Sequence, residues 1–584
     1  MKKITVLVML FLIATLYAQD PFEGPIRVLD GDNNVSVGAA WADYDNDGDQ
    51  DLYFSNGARG NAFVNYLYQN NGDGTFTKIT TGDIVTYNSI SGGCGWGDFD
   101  NDGWLDLYVA EANDGLNGLP DKLYQNNGDG TFTDVDAGDL TNTSIATATG
   151  AWADYDNDGY IDMVTSNVGT FGGPTNHHLF VNDRDSTFSS VSNNLTNGTS
   201  ELGGIAWADY DNDGDMDVVM VSGNTSESTV LWTNTGSDFT STVLLTGPDA
   251  KAASWGDYDN DGDLDLYITA YGDSQSDPDS NYFFINQNGT FTRVTDDTIV
   301  NDTDFSYGSA WGDYDNDGDL DLFVANDGDT AKSRLYINDG SGHFTRLRNS
   351  NIVDSVFFAR GCAWADYDND GDLDLIIGRD GPNYLFKNLG NSNHFINVHL
   401  TGVDANKAAI GAVVRVKATI FGNPVWQMRQ VSTQTGYGSH NSLRLHFGLG
   451  DATTVDSLII YWPGSGNVDE YTNLAYSAFY DMTEGNVSAI EETNGKAITF
   501  KLLQNYPNPF NPATNIVYDL PKSSVVRIDI YNILGQKVAT PLNGYVTAGR
   551  HTLKFNASAL PAGIYFYKMT AGKLIQTKKM VLAK

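Results

Sequence analysis

Cysteine is nearly absent: the 584 residues hold two, Cys94 and Cys362, which excludes a disulfide framework in a chain this long. They read as two buried free thiols. Cations are also scarce, 33 Lys and Arg against 75 Asp and Glu for a net charge of −42. Such a field repels nucleic-acid phosphates, so no nucleic-acid partner is expected. One apolar run stands out, Ile4–Ala18, and its 15 residues fall short of the ~20 needed to span a membrane. Behind Lys2 and Lys3, and ending in Leu-Tyr-Ala, residues 1–18 read as a cleaved signal peptide with no transmembrane segment after it. Catalytic signatures are missing too: there is no G-x-S-x-G elbow, H-E-x-x-H, P-loop or dinucleotide fingerprint.

What is present points to β structure. Hydrophobic residues make up 41% and aromatics 12%, too much apolar surface for a disordered chain. With 62 Gly and only 15 Pro, the composition suits many short strands and turns. The charge is uneven: residues 490–584 carry 12 Lys and Arg against 4 Asp and Glu, a basic module on a strongly acidic body.

One pattern recurs seven times. It starts at Trp41, Trp96, Trp152, Trp207, Trp255, Trp311 and Trp364, at intervals of 48 to 56 residues, and each copy fits D-x-D-x-D-G-x-x-D. Carboxylates at positions 1, 3 and 5 of a tight loop converge on one point, and Gly at position 6 permits the positive φ of the turn. Hard oxygen ligands in such a cage suit Ca²⁺ better than Mg²⁺. The candidate ligands are Asp43, Asp45, Asp47 and Asp51; Asp98, Asp100, Asp102 and Asp106; Asp154, Asp156, Asp158 and Asp162; Asp209, Asp211, Asp213 and Asp217; Asp257, Asp259, Asp261 and Asp265; Asp313, Asp315, Asp317 and Asp321; Asp366, Asp368, Asp370 and Asp374. Up to seven structural Ca²⁺ ions follow. Position 7 is Asp in five loops but Trp104 and Tyr160 in two, so its side chain is not required. An EF-hand would need Glu at position 12, where these loops carry Phe54, Val109, Thr165, Met220, Ile268, Val324 and Ile377. A solvated acidic turn without metal is the bland alternative.

Four strands per repeat, seven times over, is the arithmetic of a seven-bladed β-propeller, with residues 22–29 expected to complete the seventh blade. At these residues the chain resembles the FG-GAP/VCBS repeat family, whose propellers carry calcium loops between the first two strands of a blade. The resemblance covers residues 22–393. Residues 394–484, with Asn406-Lys-Ala-Ala-Ile-Gly-Ala, Gly436-Tyr-Gly-Ser-His-Asn and His446-Phe-Gly-Leu-Gly, look like the ASPIC/UnbV domain, which brings no agreed activity with it. Its glycines Gly436, Gly438, Gly448 and Gly450 read as turn residues, and Arg429, His440 and His446 are its candidate ligand contacts.

A linker is expected over 485–497. Residues 498–584, with Leu503-Gln-Asn-Tyr-Pro-Asn-Pro-Phe-Asn-Pro and Leu560-Pro-Ala-Gly-Ile-Tyr-Phe-Tyr-Lys-Met, resemble the type IX secretion C-terminal sorting domain of Bacteroidota-like bacteria; an ordinary accessory β-sandwich is the alternative. The resemblance implies the type IX machinery as a partner and a secreted or cell-surface location. The whole reads as all-β: a propeller with calcium loops, a small β domain and a C-terminal β-sandwich.

Two function classes remain. The first is a non-enzymatic recognition or adhesion protein that offers the propeller's loop face to a protein or glycan. The second is a polysaccharide-acting enzyme or lectin-like accessory, with Trp104, Tyr160 and Trp232 as candidates for stacking on sugars. His177-His178 reads as a strand variation, with a metal role as its alternative.

Overall fold

In the computed structural model, the inner strand of each repeat runs from small residues into the repeat Trp, as in Ser36–Ala42, and pairs antiparallel with the strand after the loop, Asp51–Ala58. Two further strands complete a four-stranded sheet in each repeat, and the first sheet carries two short strands more, Asn61–Val64 and Asn88–Ser89. The structure describes residues 20–583 apart from 27–33, 59–60, 113–117, 168–174, 201–202, 248, 273–278, 329–331, 355, 486–490, 494–500, 503–507, 509, 521–523, 534, 547–548, 559 and 572–573. The segment read as a signal peptide, residues 1–18, lies outside them.

Seven such sheets follow one another, and their innermost strands neighbour each other around a closed ring. Closure uses the N-terminal segment: Phe22–Ile26 pairs antiparallel with Tyr384–Asn388 as the outermost strand of the seventh sheet. Residues 27–29 of the expected closing strand are outside the described residues. The repeat tryptophans bolt neighbouring blades together. Trp41 Nε1 donates to Ala363 O across the closure at 3.1 Å, and Trp152, Trp207, Trp255 and Trp364 reach the preceding blade in the same way. Their rings lie in the inter-blade cores, Trp255 partly buried and the others buried, where Trp41 stacks on Tyr367 and Trp96 on Tyr44. Apolar area buried between blades, at roughly 25 cal/mol per Å², takes the place of absent disulfides. Both cysteines are buried and unbridged.

One-turn helices Asp83–Thr86, Asp139–Asn142, Thr298–Asn301 and Asn351–Asp354 join some blades. Four residues are too few for a 3.6-residue period to appear in sequence.

Residues 394–485 form a sandwich of two sheets, one of them pairing His394–Thr401 in parallel with Ala478–Thr483. Glu491–Thr493 adds a strand to this sheet beside Phe479–Asp481, so part of the segment expected to be a linker is sheet. A second sandwich, from Lys501 to Leu582, has its own core around Ile516, Ile528, Tyr567 and Met580. Among the described residues, no helix is long and apolar enough to cross a membrane.

Candidate functional site

Each loop is a turn built by its own carboxylates. In loop 1, Asp43 Oδ1 and Oδ2 accept the N–H groups of Asp47 and Gly48, both at 2.9 Å, and Asp47 Oδ1 accepts Asp49 N–H at 3.1 Å. Asp51 at position 9 accepts Tyr44 N–H from the loop and Asn70 N–H from the third strand, so it clamps the turn to the sheet. Gly48 stands at φ 92°, as its place at position 6 requires.

Position 4 is what sequence reasoning missed. Asn46, Asn101, Asn157, Asn212, Asn260, Asn316 and Asn369 all stand at φ between 52° and 60°, a left-handed region that Asn tolerates well. Their Nδ2 groups link each loop to the next: Asn46 to Gly103 O at 3.0 Å, Asn157 to Asp215 Oδ1 at 2.7 Å, and Asn369 to Asp49 Oδ1 at 2.8 Å, which closes the circle. The position-7 Asp is therefore the acceptor for the preceding loop; where it is Trp104 or Tyr160, the link uses the Gly carbonyl alone. The signal was legible: Asn occupies position 4 in every copy.

In the first five loops, the carboxylates at positions 1, 3 and 9 lie within 4.8 Å of one another, as in Asp43, Asp45 and Asp51 or Asp257, Asp259 and Asp265; seven metal-capable groups are found among the described residues. The position-5 carboxylates, such as Asp102 and Asp213, give one oxygen to the N–H at position 7. Burial raises several of the cluster acids, and neighbouring carboxylates add to the shift. Asp217 and Asp265 are pushed up to about 9, Asp98 and Asp154 to about 7, and Asp321 and Asp374 well above the usual range. Several oxygens inside the clusters accept no hydrogen bond from the protein: Asp211 Oδ1, Asp217 Oδ2, Asp315 Oδ1 and Asp368 Oδ1. Oxygen-only donors, mutual repulsion and orphaned buried oxygens fit a hard divalent cation. Two clusters also hold a side-chain cation: Arg184 pairs with Asp158, and Lys387 bridges Asp368 and Asp370.

The loop face, expected from sequence to meet a partner, is covered in part, and Asn212, Asp213 and Gly214 of loop 4 stay exposed. The sandwich of residues 394–485 sits on it as a cap. Arg444 donates to Gly48 O at 2.9 Å and Asn369 Oδ1 at 2.8 Å, bridging loops 1 and 7. Lys407 N–H reaches Asn101 Oδ1 in loop 2. His446 Nε2 lies 2.6 Å from Asn316 Oδ1, and Gly448 N–H donates to Asp313 Oδ2 at 3.1 Å in loop 6.

From the cap, residues 431–442 enter the ring's axis and bond to its inner strands. Thr433 Oγ1 accepts Trp152 N–H, Gly438 O accepts Cys94 N–H, His440 Nε2 accepts Trp96 N–H, and Asn441 Oδ1 accepts Trp364 N–H, at 2.8 to 3.2 Å. Tyr437 packs edge-on against Tyr307 with ring centroids 4.6 Å apart, buried with Val37 and Ala252.

The other candidates fall into structural places. Burial pushes His440 down to about 4 and His446 to about 3, so both are neutral connectors. Gly436 and Gly438 lie against the inner strands; a Cβ on Gly438 would stand 2.7 Å from Gly93 Cα. Arg429 stacks over Phe447 at 5.4 Å and lines a cavity of about 110 Å³ between cap and ring, with Trp255, Asp257, Trp311 and Arg444. Trp232 is buried with His177 edge-on against it. Trp104 lies over the turn at Gly128, and Tyr160 lies under Arg184.

Family models match this architecture in three parts. An FG-GAP-like repeat matches residues 43–109, 98–165, 168–220, 270–324 and 313–377; the ASPIC and UnbV family matches 402–489; and the secretion system C-terminal sorting domain matches 504–583. No curated protein matches the chain. Similar solved structures include the six-bladed propeller lectin of Aleuria aurantia, at 12% identity over 55% of this chain and 96% of that one, with a TM-score of 0.33. Another is PorZ, a surface component of the type IX secretion system of Porphyromonas gingivalis, at 11% identity over 95% of this chain and 82% of that one, with a TM-score of 0.21. AofleA from Arthrobotrys oligospora aligns at 10% identity over 55% and 88%, with a TM-score of 0.31.

Proposed function

We propose that this chain, which carries FG-GAP-like repeats, an ASPIC and UnbV domain and a type IX sorting domain, is an exported, non-enzymatic recognition or adhesion protein built on a calcium-stapled propeller. The sorting domain points to the type IX route and so to an extracellular or cell-surface place of work. Calcium, where bound, neutralises carboxylates that would otherwise repel at short range in a poorly hydrated loop. Asp at positions 1, 3 and 9 would hold it, with position 5 assisting.

The observation that carries the reading is where the acids are. The loop carboxylates are tied into turns, and those at Asp313 and Asp366 also accept from the cap, as Asp313 does from Gly318 and Gly448 N–H groups, which restrains them from acid–base chemistry. The outer blade strands offer a further recognition surface, on which Thr77, Lys78, Thr133 and Asp134 are exposed. A glycan array and a panel of extracellular proteins, probed with the calcium-loaded full chain, test this. Saturable binding without turnover is the expected result. Release of reducing ends from any polysaccharide would replace the reading with a hydrolytic one.

A further inference from the structure

The cap touches the loops through the atoms that also hold the loops in shape. Position-4 asparagines use Nδ2 on the next loop, and in loops 2, 6 and 7 their Oδ1 atoms meet the cap: Lys407 N–H at 2.8 Å, His446 Nε2 at 2.6 Å and Arg444 Nη1 at 2.8 Å. Two position-1 carboxylates do the same. Asp313 Oδ2 accepts Gly448 N–H at 3.1 Å, and Asp366 Oδ2 accepts Asn397 Nδ2 at 3.0 Å.

Behind these contacts, residues 431–442 fill the axis at close approach. A Cβ on Gly38 would stand 2.1 Å from Gly438 O, and one on Gly361 would stand 2.3 Å from Ser439 Oγ. A plug that fits with this little slack requires the loops above it to hold one conformation. Backbone N–H groups and a few side-chain cations, Arg184 and Lys387 among them, offset part of the repulsion among the loop aspartates, and a bound divalent cation would offset the rest.

We propose that calcium loading and cap docking form one linked equilibrium. Ions fix the turns whose position-1 and position-4 atoms the cap reads, and the docked cap in return raises the affinity of the loops it contacts most, loops 6, 7 and 1. Reciprocity follows from thermodynamics: whatever factor calcium gives to docking, docking gives back to calcium. This rests on the calcium reading above and extends it, making the ions a latch on the axial plug as well as a staple within blades. Arg444 and His446 act here as positioning residues outside the ligand set, where loss of one such partner typically costs about 10–100-fold in metal affinity.

Hydrogen exchange on the full-length protein, run beside elemental calcium analysis, tests the linkage. Chelator should strip calcium and deprotect both residues 431–442 and the plug-bonded amides of Cys94, Trp96, Trp152 and Trp364, and added calcium should restore protection. Arg444→Gln should keep the wild-type calcium stoichiometry while weakening a subset of sites about tenfold. If calcium binds and is removed while 431–442 stays protected, the linkage is overturned but the calcium reading stands. If no calcium binds at any concentration, both fall. Should Arg444→Gln fail to fold, the wild-type exchange experiment decides alone.

Discussion

Loops 4 and 6 have nearly the same sequence, Asp-Tyr-Asp-Asn-Asp-Gly-Asp-Met-Asp against Asp-Tyr-Asp-Asn-Asp-Gly-Asp-Leu-Asp, yet they occupy different surroundings. In loop 6, Asp313, Asn316 and Gly318 are buried, His446 and Gly448 reach in from the cap, and Gly450 N–H donates to Asn316 O. In loop 4, Asn212, Asp213 and Gly214 are exposed, and the cap meets the loop at Met216, where Gln430 Nε2 lies 3.5 Å from Sδ. Electrostatics follows burial. The Asp313 carboxyl is driven well above its ordinary range, first by burial and then by Asp317 and Asp315, whereas Asp209 rises only to about 6. The loop sequence supplies the carboxylates, and the cap decides how deeply they are buried.

The largest expected effect comes from pH in the absence of calcium. Buried loop acids such as Asp209, raised to about 6, and Asp217, raised to about 9, bind protons more tightly folded than unfolded. The folded state therefore holds more protons across this window, and metal-free stability must fall as pH rises from about 4 to about 9. Urea midpoints in chelator should drop across that range, and saturating calcium should remove most of the slope. A calcium-free midpoint that rises with pH would contradict the burial argument for both loops.

Next in size is Asp313→Ala against Asp209→Ala, both in calcium. The first strands three amides, those of Asp317, Gly318 and Gly448, at about 1–3 kcal/mol for each buried donor left unpaired. The second strands those of Asp213 and Gly214, which lie in an exposed turn where water can replace the lost partner. Calorimetry should rank Asp313→Ala well below Asp209→Ala in melting temperature. Equal losses would break the comparison.

Smaller again is Gly318→Ala against Gly214→Ala. Both glycines stand at strongly positive φ, 100° and 93°, which costs a residue with a Cβ about 1–2 kcal/mol. At Gly318 the new Cβ would also stand 2.8 Å from Ile420 Cδ1 of the cap, whereas at Gly214 it meets nothing within 4 Å. The Gly318 variant should lose more stability, and its excess should disappear in Ile420→Ala.

Much of this was legible in the sequence because the repeat is local. Trp, loop and second strand lie within some twenty residues of one another, and seven copies expose the pattern. The N-terminal closing strand was legible as well, since the seventh repeat lacks a fourth strand. The cap's place was not. Ser439 and Ala39 meet across 400 residues, and His446 and Asn316 across 130, and no periodicity marks such a pair. Gly436 and Gly438 therefore read as ordinary turn glycines, although their lack of a Cβ is what lets the plug enter the ring. The position-4 Asn was visible but unread, because its backbone twist and its bond to the next loop are properties of the assembled ring.

The central claim is that the seven loops hold calcium and that the fold depends on it. Calcium counted per chain after equilibrium dialysis, followed by melting in excess chelator, tests this most directly. The account predicts close to seven ions per chain, with saturated sites each contributing about 2.7 kcal/mol at a hundredfold excess over Kd, and a large fall in melting temperature on chelation. A chain that binds no calcium, or melts unchanged in chelator, would contradict it.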